Sequence, residues 1–277
     1  MKVLVTGAKG YIGLGVVREL LDRGVDVIAA DFNLDGVDER AVKVEGNLFQ
    51  IENPFEAFGK PDVLIHLAWR DGFKHNSINH INDFPGHYMF LSKMLEGGLK
   101  HMAVLGSMHE VGFFEGSINE NTPTNPQSNY GVAKNALRQS IELLKKDRDF
   151  IFQWLRGFYI VGNMEHGCSI FSKIYEAQKN GQKKFPFTTG ENQYDFIDYD
   201  EFCRQVVSAA LQDKVTGIIN CCSGRPMRLS ERVEKFIKDN NFDIELEYGA
   251  FPDRPYDSKA IWGNNEKINQ IMENESK

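Results

Sequence analysis

The chain predicts an α/β fold: a doubly wound parallel sheet followed by a smaller α/β lobe. Two observations predict it. Apolar runs of strand length alternate with amphipathic helical segments through residues 1–158, and such alternation builds a parallel sheet with helices on both faces. A glycine-rich turn, Gly7-Ala8-Lys9-Gly10-Tyr11-Ile12-Gly13, joins the first apolar run to the first helical segment. That turn needs glycine wherever backbone must approach backbone or ligand closely.

The elements follow in order. Val3-Leu4-Val5 is the first strand, and Leu14–Leu21 carries apolar residues at helical spacing. Val25–Ala30 is the second strand, closed by Asp31. Ala41–Gly46 reads as a short strand and Asp62–Ala68 as a buried one. Asp83–Leu99 is expected to be helical, with Pro85 near its start, where proline is tolerated. Met102–Ser107 is a strand, Asn129–Lys146 a strongly patterned helix, and Phe150–Arg156 the strand after it. The second half is less regular. Ile170–Asn180 and Tyr199–Leu211 read as helices, Gly217–Cys222 as a strand, and Ser230–Lys238 as a helix capped by Ser230. Glu245–Tyr248 makes a short strand, and the polar tail after Glu266 is expected to fray. No repeat, low-complexity segment or linker separates the halves. The expected division is a nucleotide-binding core over 1–158 and a mainly substrate-binding lobe over 159–277, with a segment near 193–223 returning to the core.

Composition narrows the function. Of 277 residues, 42% are apolar and 26% charged, which is ordinary globular usage. A net charge of −7 argues against nucleic-acid or anionic-membrane partners. Cys168, Cys203, Cys221 and Cys222 show no metal-ligand spacing. They read as reduced thiols of a cytoplasmic protein, with no structural metal. The first apolar run is too short for a signal peptide, and no run approaches the length of a membrane span.

Strand, glycine turn, helix, strand and acid form the dinucleotide fingerprint in its expected context. The turn admits a pyrophosphate, and the helix N-terminus offers it free N–H groups and a positive dipole end. A carboxylate at Asp31 can accept both adenosine ribose hydroxyls and repels a 2′-phosphate. NAD is therefore favoured over NADP, although Lys9 in the loop could pair with such a phosphate.

The glycines are spaced G-x-x-G-x-x-G, and a second signature, Tyr130-Gly131-Val132-Ala133-Lys134, lies about 120 residues downstream at the start of a helical pattern. Together they resemble the extended branch of the short-chain dehydrogenase/reductase superfamily, the NAD-dependent epimerase/dehydratase family, whose core is a Rossmann-type sheet. Further matches span nearly the whole chain. His66-Leu67-Ala68 resembles the strand end H-[LV]-A-[AG], whose backbone runs beside the cofactor, so Leu67 and Ala68 join Gly7, Lys9, Gly10, Tyr11, Ile12, Gly13 and Asp31 as cofactor candidates. Asn47-Leu48 resembles the Asp-Leu that contacts adenine. Gly106–Gly112 resembles S-S-x-x-V-Y-G and the S-T-D-E-V-Y-G of sugar dehydratases, with Met108 at the usual hydroxyl position and His109 at the acid. A thioether cannot donate a hydrogen bond, which leaves Ser107 to orient the substrate. Without the Asp–Glu pair, dehydration is disfavoured; Glu110 remains as a substrate-contact candidate. Arg156–Gly162 resembles R-x-F-N-x-Y-G, with Tyr159 in the manner of dTDP-4-keto-6-deoxysugar reductases. Arg254, in a late R-P-like segment, is the diphosphate candidate, since a planar fork suits phosphate.

The resemblance implies that Tyr130 and Lys134 are the catalytic pair, with Lys134 also holding the nicotinamide ribose. Moving a proton to or from a sugar oxygen requires the tyrosine pKa to fall from about 10 toward neutrality. At about 1.4 kcal/mol per unit, three units need about 4 kcal/mol of support for the phenolate. The Lys134 ammonium, one helical turn on, and an oxidised nicotinamide ring can give it. The activity this implies is reduction of a 4-keto group on a nucleotide-linked deoxysugar. The alternatives are a nucleotide-sugar epimerase that retains its NAD, and a non-catalytic NAD(H)-binding regulator. A homodimer is expected through Asp83–Leu99 and Asn129–Lys146, with Leu91 and Leu95 on one stripe and Leu137, Ile141 and Leu144 on the other.

Overall fold

Alternate residues of the first strand divide between two cores. Val3 and Val5 enter one and Leu4 the other, because successive strand side chains point to opposite faces. The same alternation recurs at Val63, Leu64 and Ile65, and at Met102, Ala103, Val104 and Leu105. These strands are therefore covered on both faces, as a parallel sheet requires. The computed structural model describes residues 1–252 and 257–275.

The chain runs β1 (Lys2–Thr6), α1 (Gly13–Asp22), β2 (Asp26–Asp31), β3 (Val42–Glu45), α2 (Pro54–Ala57), β4 (Val63–His66), α3 (Asn79–Gly97) and β5 (His101–Ser107). It continues through β6 (Gly116–Ile118), α4 (Asn129–Leu144), β7 (Ile151–Gly157), β8 (Tyr159–Val161), α5 (Ile170–Lys179), β9 (Lys184–Pro186) and β10 (Gln193–Asp198). It then passes through α6 (Tyr199–Ala210), β11 (Gly217–Cys221), β12 (Pro226–Arg228), α7 (Leu229–Asp239), β13 (Glu245–Glu247), β14 (Ala260–Gly263) and α8 (Glu266–Glu275).

The main sheet has seven strands in the order β11-β7-β5-β4-β1-β2-β3, all parallel. Strand order reverses between β1 and β4, and a ligand crevice opens beyond the carboxyl ends at such a point. Residues of α1, α6 and α8 fill the core on one face. Residues of α3 and α4 fill the other. A second sheet, β12-β10-β14-β6 with β8 beside β10, encloses a third core with α5 and α7. Segment 193–223 is shared: β10 lies in the smaller sheet, α6 packs on α1, and β11 completes the main sheet.

Three local expectations are corrected. α3 begins at Asn79, about one turn early, so Pro85 lies inside the helix. It does so on the solvent side, where water can serve the carbonyl it leaves unpaired. α7 begins at Leu229, so Ser230 lies inside the helix and is not its cap. The tail after Glu266 does not fray at once: it forms α8, because Ile268 and Ile271 are buried against the main core. Among the described residues, no helix is long and apolar enough to cross a membrane.

Candidate active site

The glycine loop sits at the carboxyl end of β1. Gly7 has φ +71°, and a Cβ there would lie 2.6 Å from the Ala68 backbone nitrogen. A Cβ at Gly13 would lie 2.1 Å from the Gly7 carbonyl oxygen. Both positions therefore require glycine, and Ala68 packs directly on the loop. Gly10 donates to the Gly7 carbonyl at 3.0 Å and faces solvent. No side chain caps α1, whose N-cap position is Ile12. The Leu14 and Val16 amides bond the Gly10 and Ile12 carbonyls at 3.2 and 3.0 Å, and the positive end of the helix dipole faces the glycine loop.

A neighbouring hydroxyl braces this loop. Tyr199 accepts from the Gly15 amide at 2.9 Å and donates to the Tyr11 carbonyl at 2.7 Å. Tyr11 donates its own hydroxyl to the Gly162 carbonyl at 2.8 Å, and burial raises its pKa. At the end of β2, Asp31 accepts from the Lys9 amide at 3.0 Å and the Phe32 amide at 2.8 Å. The Lys9 ammonium is bonded to Asn33. Asn47 caps a short 3-10 turn by accepting from the Phe49 amide at 3.0 Å, and Leu48 is buried behind it. Leu67 is buried and donates to the Thr6 carbonyl at 3.0 Å. A helix N-terminus behind the loop, glycines too crowded for side chains and an acid at the next strand end fit a dinucleotide.

Tyr130 and Lys134 lie at the start of α4, capped by Ser128, which accepts from the Gly131 amide at 3.2 Å. Tyr130 donates its amide to the His75 carbonyl at 2.9 Å. Ser107, the last residue of β5, is near enough to the Tyr130 side chain to favour its phenolate. Its Oγ also accepts from the His109 amide at 3.3 Å. Lys134 donates to the Leu105 carbonyl at 2.7 Å and lies 4.0 Å from the centre of the Trp69 ring. The three candidates therefore converge at the carboxyl edge of the sheet.

The electrostatics differ from the expectation for tyrosine. Burial pushes Tyr130 up to about 12; the Ser107 side chain opposes this and the Glu110 charge adds to it. Burial brings Lys134 down to about 7, opposed by the attraction of Glu110. Desolvation disfavours the charged form of each, and in this arrangement it outweighs their support.

Glu110 is corrected from a substrate contact to a buried anchor. It is fully inaccessible and accepts from the Ser107 amide at 2.6 Å and from Trp154 Nε1 at 2.9 Å. Arg156, equally buried, lies 3.6 Å away. Ser107 and Glu110 form a reciprocal capping box that fixes the serine backbone. Met108, at the usual hydroxyl position, packs in the third core. Tyr159 is half-buried and packs on Tyr194 at 4.5 Å between ring centres. Arg254 lies outside the described residues.

Sequence reasoning missed the aromatic surround of Tyr130. His75 stacks on its ring at 5.2 Å and 11°, with His80, His109 and Trp69 edge-on. Burial holds His109 down to about 4, so it is neutral near pH 7. His66 and His87 bond to each other at 2.9 Å behind Trp69, and burial keeps both neutral too. The available signal was the concentration of histidine between residues 66 and 109.

Fold and site together define an oxidoreductase-type dinucleotide protein with a tyrosine–lysine pair. A family model described as "NAD dependent epimerase/dehydratase family" matches residues 3–222. The chain belongs to that family and is an NAD-dependent enzyme. It is similar, at 41% identity over 269 residues, to a dTDP-6-deoxy-L-talose 4-dehydrogenase (NAD(+)) of Aggregatibacter actinomycetemcomitans, covering 95% of this chain and 99% of that protein. A UDP-glucose 4-epimerase of Lactobacillus helveticus is 29% identical over 303 residues, covering 98% of this chain and 91% of that one. Among solved structures, a UDP-glucose 4-epimerase from Thermotoga maritima with UDP-glucose superposes with a TM-score of 0.83 at 20% identity, covering 98% of this chain and 92% of its own. MoeE5 in complex with UDP-glucuronic acid and NAD gives 0.81 at 20% identity, covering 99% and 93%. At these identities the structural likeness speaks for the fold.

Proposed function

We propose that the protein interconverts the 4-keto and 4-hydroxyl groups of a nucleotide-linked 6-deoxyhexose, with NAD(H) as partner. The observation that carries this reading is the meeting of Ser107 at the end of β5 with Tyr130 and Lys134 at the start of α4, where Lys134 donates to the Leu105 carbonyl at 2.7 Å. The relative named as a dTDP-6-deoxy-L-talose 4-dehydrogenase supports the sugar class.

Gly7, Gly10 and Gly13, at the positive end of α1, would hold the pyrophosphate, Asp31 the adenosine ribose, and Asn47 and Leu48 the adenine side. Bound NAD(H) supplies or accepts the hydride at the sugar carbon. In reduction, the Tyr130 hydroxyl gives its proton to the carbonyl oxygen while Ser107 orients that oxygen. In oxidation, Tyr130 takes the proton from the hydroxyl. Lys134 sustains the tyrosine in both directions and reaches the ribose. Because burial and the Glu110 charge raise the Tyr130 pKa, the buried cation is needed to bring the phenolate within reach.

The test is to incubate the protein with a dTDP-4-keto-6-deoxyhexose and NADH, and separately with a dTDP-6-deoxyhexose and NAD+, and to analyse both sugar and cofactor. Stoichiometric consumption of cofactor, with change at carbon 4 only, is expected. Sugar inversion without net cofactor turnover would instead identify an epimerase, the activity named for the 29% identical relative.

A further inference from the structure

We infer that Trp69 is a positioning residue for Lys134: its indole face stands in for solvent around the buried ammonium and holds it at the carboxyl end of β5, where it donates to the Leu105 carbonyl. Trp69 follows His66-Leu67-Ala68 at the end of β4, where the family pattern H-[LV]-A-[AG] has a small residue. The substitution fills the space above Lys134 with a large π-face. The Lys134 Nζ lies 4.0 Å from the ring centre, within cation–π range.

The indole is fixed by its neighbours. Its Nε1 donates to His80 Nδ1 at 3.0 Å. Indole N–H is a donor only, so His80 carries its proton on Nε2, which donates to the Lys74 carbonyl at 3.0 Å. Trp69 also stacks on His87 at 4.4 Å and 14°. His87 is in turn bonded to His66, and His66 to Thr6 Oγ1 at 2.8 Å. The indole beside the ammonium is therefore held in place by two histidines.

The charged and titratable groups around Lys134 explain why that face matters. His66 from β4 and His87 from α3 are neutral and oppose the cation when charged. Tyr130 shares its helix. Glu110, from the turn after β5, attracts the ammonium. That carboxylate is itself shared with Arg156 of β7 at 3.6 Å and Arg138 of α4 at 4.0 Å. Its pull on Lys134 is divided, and the indole supplies a contact that no arginine competes for at the Lys134 site. Removing the indole should favour the neutral amine and lower the lysine pKa by about 0.5 to 1.5 units.

This role rests on Tyr130 and Lys134 being the proton-transfer pair, but its main test needs no turnover. Lysine-selective NMR of the unliganded protein follows Lys134, assigned by loss of its signal in Lys134→Met. In the wild type, the side-chain protons should be displaced upfield by the indole. Trp69→Leu should abolish that displacement and lower the titration midpoint by about 0.5 to 1.5 pH units, with Trp69→Phe between the two. Reductive turnover needs the charged lysine, so its alkaline limb should move to lower pH by the same amount. An unchanged midpoint in folded Trp69→Leu would overturn the role. If Trp69→Leu does not fold, an unchanged midpoint in Trp69→Phe or absence of the wild-type upfield displacement overturns it equally. A wild type that shows the lysine effects yet turns over no nucleotide-sugar would overturn the proposed function and leave the Trp69–Lys134 contact standing.

Discussion

We propose that the carboxylate of Asp31 sets cofactor choice. It takes the Lys9 amide into its own hydrogen-bond set, and the Lys9 ammonium turns to Asn33. The cation that could have welcomed a 2′-phosphate is thus engaged in the loop. Two like charges ~4 Å apart in a partly buried site cost on the order of a few kcal/mol. NAD(H) should therefore bind at least tenfold more tightly than NADP(H), and Asp31→Asn should narrow the gap; fluorescence titration of both cofactors measures it. Equal affinities in the wild type would show that another group overrides Asp31. Residues of this kind were legible because their chemistry is local: a glycine turn, a strand-end acid, a tyrosine and a lysine one helical turn apart. Glu110 was not. Its motif position pointed toward substrate, whereas its partners Trp154 and Arg156 come from β7, more than forty residues on. Burying a carboxylate demands such partners, and they are tertiary facts.

Among the elements, the meeting of α1 and α6 decides how firmly the glycine loop is held. A Cβ at Gly15 would fall 2.5 Å from Cys203 Sγ and 2.6 Å from the Tyr199 hydroxyl. That hydroxyl satisfies the Gly15 amide and braces the Tyr11 carbonyl. Gly15→Ala should cost about 1–3 kcal/mol, as overpacking does in a filled core. It should also weaken NAD binding, because the displaced hydroxyl leaves the loop. Denaturant unfolding and cofactor titration read the two effects; a change below about 0.5 kcal/mol with unaltered binding would mean that the contact relaxes freely. The long elements were legible from periodicity. The three-residue strands β6, β8, β9, β12 and β13 were mostly not, since three residues hold too little alternation to read. α8 was misread because its polar surface hid the Ile268–Ile271 stripe.

Over the whole molecule, the stripes expected to make a dimer are already used. Leu91, Leu95, Leu137 and Ile141 are buried under the chain's own sheet, and Leu144 packs against the same core. What α3 and α4 leave exposed is a different apolar set: Ile81 and Met89 on one, Val132 and Leu143 on the other. We propose that this outer set, on two helices that pack together, forms the dimer face. Light scattering at micromolar concentration should give twice the 31.5 kDa chain mass, and Met89→Glu with Val132→Glu should give the monomer. A monomeric wild type would remove the proposal. Chain architecture was legible because strand and helix alternate so regularly; the exposed stripe of α3 and α4 was not, because periodicity alone cannot say which face of an amphipathic helix meets its own sheet.

The central claim is that Tyr130 moves the proton in a nucleotide-sugar oxidoreduction. Its most direct test is steady-state turnover of a dTDP-4-keto-6-deoxyhexose with NADH, comparing wild type with Tyr130→Phe. The variant removes one oxygen and leaves the ring between His75 and Trp69. Turnover should fall by about 10² to 10⁴-fold, the usual size of a general-acid contribution, while NADH affinity barely changes. Undiminished turnover in Tyr130→Phe, or a wild type that binds NAD(H) and turns over no nucleotide-sugar, would contradict the account.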